Sequence, residues 1–185
     1  MHRRTFIAAN AALIVGAAPL GNRSLSALAQ DATPSAITVN QLAPGVTAEI
    51  FTAAPSAVAP GQTIYTARFV FEAGSEIFPH GHPGTTALGV ASGSFGWTLV
   101  EGTAHVVRGA AGPAPGSPED LTEPGADVVL EPGDAIFYES DVIHTARGAG
   151  ADPALVFGSL VLETGAPLLM TAEEMMNMHM GTPES

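Results

Sequence analysis

Four Pro-Gly pairs cut this chain into short apolar runs: Ala43-Pro44-Gly45, Ala59-Pro60-Gly61, Glu123-Pro124-Gly125 and Glu131-Pro132-Gly133. Proline presets the φ that the second position of a tight turn needs. Glycine next to it accepts the positive φ that other residues resist. A helix cannot run through such pairs, so the segments between them are held to short lengths. Strands are predicted at 37–40, 46–51, 63–71, 75–80, 85–91, 95–100, 104–108, 127–130, 135–138 and 154–162. Short strands joined by tight turns predict an all-β, antiparallel sandwich or barrel.

The chain has 185 residues, enough for one domain with appendages. It opens with Arg3-Arg4-Thr5-Phe6-Ile7, continues with an apolar run over 6–20, and reaches Ala27-Leu28-Ala29. That order reads as a signal peptide over 1–29, with paired arginines like those of a twin-arginine export signal. The apolar run is shorter than the ~20 residues of a membrane span. The expected organisation is a leader and first strand over 30–47, a β-barrel over 48–165 and a tail over 166–185. Residues 109–118, rich in Gly and Pro, predict a surface loop.

All 18 acidic residues follow the signal, and only Arg68, Arg108 and Arg147 oppose them. So acidic a surface argues against nucleic acid as a partner and against anionic membranes once the signal is gone. With no cysteine, disulfides, thiolate metal sites and cysteine nucleophiles are excluded together. In the tail, Thr171 precedes Glu174 by three, the spacing of a capping box, and predicts a short helix. Its Met175, Met176, Met178 and Met180 suit docking against the barrel or a second subunit. Beside His179 they also suit a Cu(I) site.

The chemistry centres on His80-Gly81-His82. Residues two apart on a strand leave the same face, so both imidazoles project together. Neutral imidazoles fill a core poorly, since each carries a polar nitrogen that needs a partner, but they hold divalent metals well. Thr86 lies four past His82 and, by the same parity, faces the same interior. Glu76 shares the parity but lies further along the strand. Trp97 with Phe95 and Leu99 forms an alternating apolar face, and Tyr138 could donate a hydrogen bond to a bound oxyanion. His105 reads as an exposed strand residue.

The frame Gly74, five residues, His80-Gly81-His82, then Gly93 resembles the first signature motif of the cupin superfamily, with Thr86 where that motif has Glu. Gly133 and His144 match its second motif, in which Glu139, Asp141 and Gly148 replace Pro, Gly and Asn. The resemblance spans roughly 48–165. It implies a single antiparallel jelly-roll barrel, with a short C-terminal helix added by the tail. It also implies His144 as a third ligand beside His80 and His82, for one divalent transition metal: Fe, Mn, Zn, Ni or Cu. Three neutral ligands leave the metal charge uncompensated and favour an anionic or chelating small molecule. Cysteine dioxygenase is a cupin enzyme with such a three-histidine iron site, so the missing Glu is compatible with activity. No catalytic residue stands out beyond the ligands.

Two readings follow. One is an exported, periplasmic or extracellular, oxygenase-like enzyme acting on a small organic substrate. The other is a non-catalytic cupin that binds a metal or a small molecule. Cupins commonly pair, which implies a homodimer in either case.

Overall fold

The computed structural model describes residues 38–109 and 117–180. The expected signal peptide and leader, and residues 110–116 of the expected loop, lie outside the described residues. In chain order the strands are β1 (Thr38–Ala43), β2 (Val46–Pro55), β3 (Gln62–Phe71), β4 (Glu76–Gly81), β5 (Gly84–Ser92), β6 (Phe95–Glu101) and β7 (Ala104–Val107). They continue with β8 (Glu119–Leu121), β9 (Asp127–Leu130), β10 (Ala135–Tyr138), β11 (Ile143–Gly148), β12 (Ala154–Glu163) and β13 (Met170–Thr171), before helix α1 (Ala172–Met180).

The turns form as the Pro-Gly pairs dictate. Gly45, Gly61, Gly125 and Gly133 have φ of 75°, 84°, 85° and 96°. Three of these turns close with a backbone hydrogen bond across four residues: Gln62 to Ala59 at 3.1 Å, Ala126 to Glu123 at 2.9 Å and Asp134 to Glu131 at 2.9 Å. These are type II turns, with Pro second and Gly third.

Two antiparallel sheets result. The larger has eight strands in the order β1–β2–β3–β12–β5–β10–β7–β8, and the smaller has five in the order β13–β4–β11–β6–β9. They face each other as a jelly-roll sandwich, and the two sheets stay open rather than closing into one continuous barrel. Alternate residues fill the space between them. From the larger sheet come Ala67, Phe69 and Phe71 of β3, Leu88 and Val90 of β5, and Val156, Leu160 and Leu162 of β12. From β6 come Phe95, Trp97 and Leu99, all fully buried. Each large side chain buried this way contributes about 1.5–3 kcal/mol.

Ten of the strands sit where the sequence predicts them, within a few residues at the ends. Three are additional: β8, β13 and β11. Strand β11 lacks an apolar signature because its buried residues after Ile143 are His144, Ala146 and Gly148. The tail helix forms on its capping box. The Thr171 amide donates to Glu174 Oε2 at 2.8 Å, and the Glu174 amide donates to Thr171 Oγ1 at 3.2 Å. Met175 is buried while Met176 is exposed, which fits a docking helix. The side chains of residues 179 and 180 lie outside the described set. No described helix is long and apolar enough to cross a membrane.

Candidate metal centre

Strand β4 is irregular, and the irregularity builds the site. His80 pairs with His144 and Ile77 pairs with Ala146, so three steps on β4 span two on β11. The extra residue forms a bulge at Phe78-Pro79, where two consecutive side chains are exposed. Proline is tolerated at a bulge because no ladder hydrogen bond is asked of it. The bulge shifts parity: His80 and Ile77 are buried, while Glu76 is exposed. Glu76 therefore does not share the face of the histidines, and the strict alternation expected of this strand fails there.

After His82 the chain leaves the smaller sheet for the larger one. Gly84 makes the crossing with φ 150°, and a Cβ there would lie 2.1 Å from the Val161 carbonyl oxygen. No other residue fits such an approach. Thr86 thus belongs to β5, not to the strand that carries His80. It is fully buried, as expected, but by a different route.

His80, His82 and His144 converge inside the sandwich. One ligand nitrogen from each lies within 4.8 Å of the others, near the ~4 Å spread that a single ion ~2.1 Å from each nitrogen allows. All three rings are buried. His80 Nδ1–H donates to the Phe78 carbonyl at 2.8 Å, so the bulge itself orients this ring. His82 Nδ1–H donates to the Leu168 carbonyl at 2.6 Å. Both contacts fix the tautomer that leaves Nε2 with a free lone pair. His144 Nδ1 has no hydrogen-bond partner among the described residues, and its Nε2 stands 3.3 Å from the Tyr138 hydroxyl.

Electrostatics agree with a ligand role. Burial pushes His80 down to about 3, with the neighbouring His82 ring adding to the shift. Burial lowers His82 to about 4, and it holds His144 well below its ordinary value. All three rings are therefore neutral at physiological pH. Three neutral imidazoles with free nitrogens and one orphaned ring atom are costly in a dry core. A divalent metal removes that cost, so the residues fit one.

The remaining candidates surround this group. Trp97 stacks on His144 with ring centroids 5.0 Å apart. Tyr138 pairs across the sheet with Thr86, and burial pushes its phenol well above the ordinary value, with Trp97 and Thr86 partly opposing the shift. Those two act on the phenol as nearby dipoles. Neither Thr86 Oγ1 nor Trp97 Nε1 makes a hydrogen bond of ordinary geometry among the described residues. His105 lies outside the site: its Nδ1 contacts Asp120 at 2.7 Å and its ring stacks on Phe137.

A small cavity of about 30 Å³ adjoins the histidines. Among the described residues its polar lining is His80, His82, His144 and Tyr138, and every other lining side chain is apolar. Thr86 is not among the lining residues, but it lies on the same buried face of β5 as the lining Leu88 and pairs with Tyr138. Leu168 and Leu169 are lining residues absent from the sequence reading. Their signal was an apolar pair just before the capping box, in a stretch with no other reason to be apolar.

No family model matches the sequence, and no curated protein is similar to it at a significant level. Solved structures of similar shape include an RmlC-like cupin from Shewanella frigidimarina, at 13% identity and TM-score 0.38, covering 70% of this chain and 87% of that one. A cupin 2 domain-containing protein from Halorhodospira halophila shows 18% identity and TM-score 0.40 over 74% and 77% of the two chains. The DMSP lyase DddQ from Ruegeria pomeroyi shows 12% identity and TM-score 0.47 over 75% and 62%. At this depth of similarity these neighbours say nothing about substrate. Motif glycines Gly74, Gly93 and Gly133 all turn with positive φ, and the histidines of both motifs meet between two antiparallel sheets, the jelly-roll arrangement that the resemblance to cupins implies.

Proposed function

We propose that this protein is an exported cupin that binds one divalent transition metal through His80, His82 and His144 and presents it to a small organic molecule for oxygenase-type chemistry. The observation that carries this reading is the set of three buried, neutral imidazoles whose free nitrogens converge on one point. When bound, such a metal supplies Lewis acidity and open positions for substrate and dioxygen.

The chain's own residues do the rest. The Phe78 and Leu168 carbonyls hold the His80 and His82 rings in their coordinating tautomers. Trp97 braces His144 from one face. Apolar walls exclude water from the reacting centre. Tyr138 stays protonated and can donate its hydrogen bond to a bound oxygen atom. Among the described residues, no lining side chain exchanges a proton near neutrality in the metal-free protein, since burial holds the histidines below that range and the phenol above it. Hydrolysis and isomerisation commonly draw on such a side chain, so its absence disfavours them. Dioxygen chemistry at a metal does not need one, and neither does binding without turnover, which is the second reading.

Metal content of protein purified from its native compartment tests the proposal, alongside oxygen uptake with candidate substrates. Iron or manganese with oxygen consumption supports the enzyme, zinc without turnover supports the binder, and no metal at any stoichiometry removes both. Trp97, the only tryptophan, provides a further readout, because a metal on the stacked His144 changes its fluorescence. Export is tested separately by Arg3→Lys with Arg4→Lys, which is expected to leave folded precursor in the cytoplasm, because lysine lacks the guanidinium fork.

A further inference from the structure

The cavity has two walls of different origin. Most of it is sheet, with fully buried side chains such as Leu160 of β12. The other part is a strap that follows β12 and supplies Leu168 and Leu169, both half-buried. The strap is pinned at both ends. The Thr164 amide donates to the Gly61 carbonyl at 2.8 Å, and Met170 and Thr171 pair with Gly81 and His80. Beyond it, Met175 packs against Gly81, where an added Cβ would lie 3.1 Å from Met175 Cγ. The strap's Leu168 carbonyl also holds His82.

Among the described residues, the lining contains no Asp, Glu, Lys or Arg. A divalent ion on three neutral rings keeps its charge in a low-dielectric site, so an anionic donor group is the favoured partner there. The wall offers a second polar group nothing beyond Tyr138. A sugar, an amino acid or a polyanion would bury hydroxyl, ammonium or carboxylate groups without partners, at high cost. An apolar body would instead lie against leucine and phenylalanine.

We propose that the site takes a small monoanion with an apolar body, and that Leu168 and Leu169 of the strap determine that specificity. This rests on the metal reading above. The donor group faces the histidines, and the body packs against the strap leucines.

The test uses the mature full-length protein loaded with one equivalent of Co2+, whose visible absorption reports entry of a donor group. Acetate, butanoate and hexanoate are titrated in turn, with hexanol as the neutral control and citrate as the polar polyanion. Affinity is expected to rise about fourfold per methylene, making hexanoate roughly 250-fold tighter than acetate, with hexanol and citrate both weaker than hexanoate. Leu169→Ser is expected to shrink the hexanoate-to-acetate ratio at least tenfold while circular dichroism stays unchanged. Leu168→Ala, a milder change, is expected to shrink the ratio severalfold. If Co2+ does not bind at all, the metal reading falls and this inference with it. If Co2+ binds but acetate and hexanoate bind equally, or citrate or hexanol binds as tightly as hexanoate, this inference alone falls. A full chain-length gradient in both folded variants removes the strap from specificity.

Discussion

The β3–β12 pair and the β4–β11 pair face each other across the sandwich and follow different rules. Strands β12 and β3 run in unbroken register for ten pairs, from Ala154 opposite Phe71 to Glu163 opposite Gln62. Their inward residues are apolar apart from Thr63 at the end of the pair. Strands β4 and β11 pair over a shorter span, with a bulge between His80 and Ile77. Their inward residues include two of the three ligands. Regular pairing produces a wall that any adequate set of apolar side chains could form. The irregular pair produces a functional geometry at the expense of packing, with the bulge carbonyl of Phe78 turned to orient His80. Scaffold and site therefore depend on different residues and should fail separately.

The largest expected effects break the two regions one at a time. Leu160→Ala, in the regular pair, is expected to cost about 2–5 kcal/mol of stability and to leave metal stoichiometry at that of wild type. His82→Ala should weaken metal binding by more than ~100-fold, since even residues that only orient ligands cost about 10–100-fold. Its metal-free stability should fall by only about 1–2 kcal/mol, from leaving the Leu168 carbonyl without its donor. Urea denaturation and elemental analysis on the same samples separate the two. A His82→Ala protein that keeps a full metal equivalent would remove His82 from the site.

A smaller effect sharpens the contrast through pH. The unfolded chain protonates its histidines near the ordinary value of ~6.5. The folded, metal-free protein resists until about 4 for His82 and about 3 for His80, because burial disfavours the cation. Between those values the unfolded state binds more protons, so stability falls as pH falls. Above ~6.5 no such penalty exists. The slope approaches about 1.4 kcal/mol per pH unit for each buried histidine. Denaturation of metal-free protein at pH 7.5 and pH 5 measures it, and His82→Ala should show a shallower slope than wild type. Equal slopes would mean that His82 is solvated in the metal-free state.

The smallest effect concerns Thr86. Its hydroxyl is buried with no hydrogen bond of ordinary geometry among the described residues, so Thr86→Val keeps the shape and removes only that hydroxyl and its dipole beside Tyr138. Stability is expected to change by less than about 1 kcal/mol, and metal affinity to stay within severalfold of wild type. A loss of metal binding would place this hydroxyl nearer the ions' ligands than the cavity lining does. Thr86→Glu, by contrast, should destabilise the metal-free protein, because the position is fully buried and a carboxylate there has no partner.

What the sequence determined by itself is local. The Pro-Gly pairs dictate turns because each acts through its own φ, and all four glycines take the positive value. Thr171 and Glu174 dictate a helix start because the cap closes within four residues. His80 and His82 announce a ligand pair because their spacing alone puts them on one face. What only the tertiary structure decided depends on residues far apart in the chain. His144 meets His80 through a strand too poor in apolar residues to be legible. Glu76 leaves the site through a bulge whose register is set by β11, and Thr86 enters the core only because the chain changes sheets at Gly84. The carbonyl that fixes His82 comes from Leu168, 86 residues later. Backbone conformation at a turn is a property of a few neighbouring residues, whereas register and convergence are properties of the packed whole.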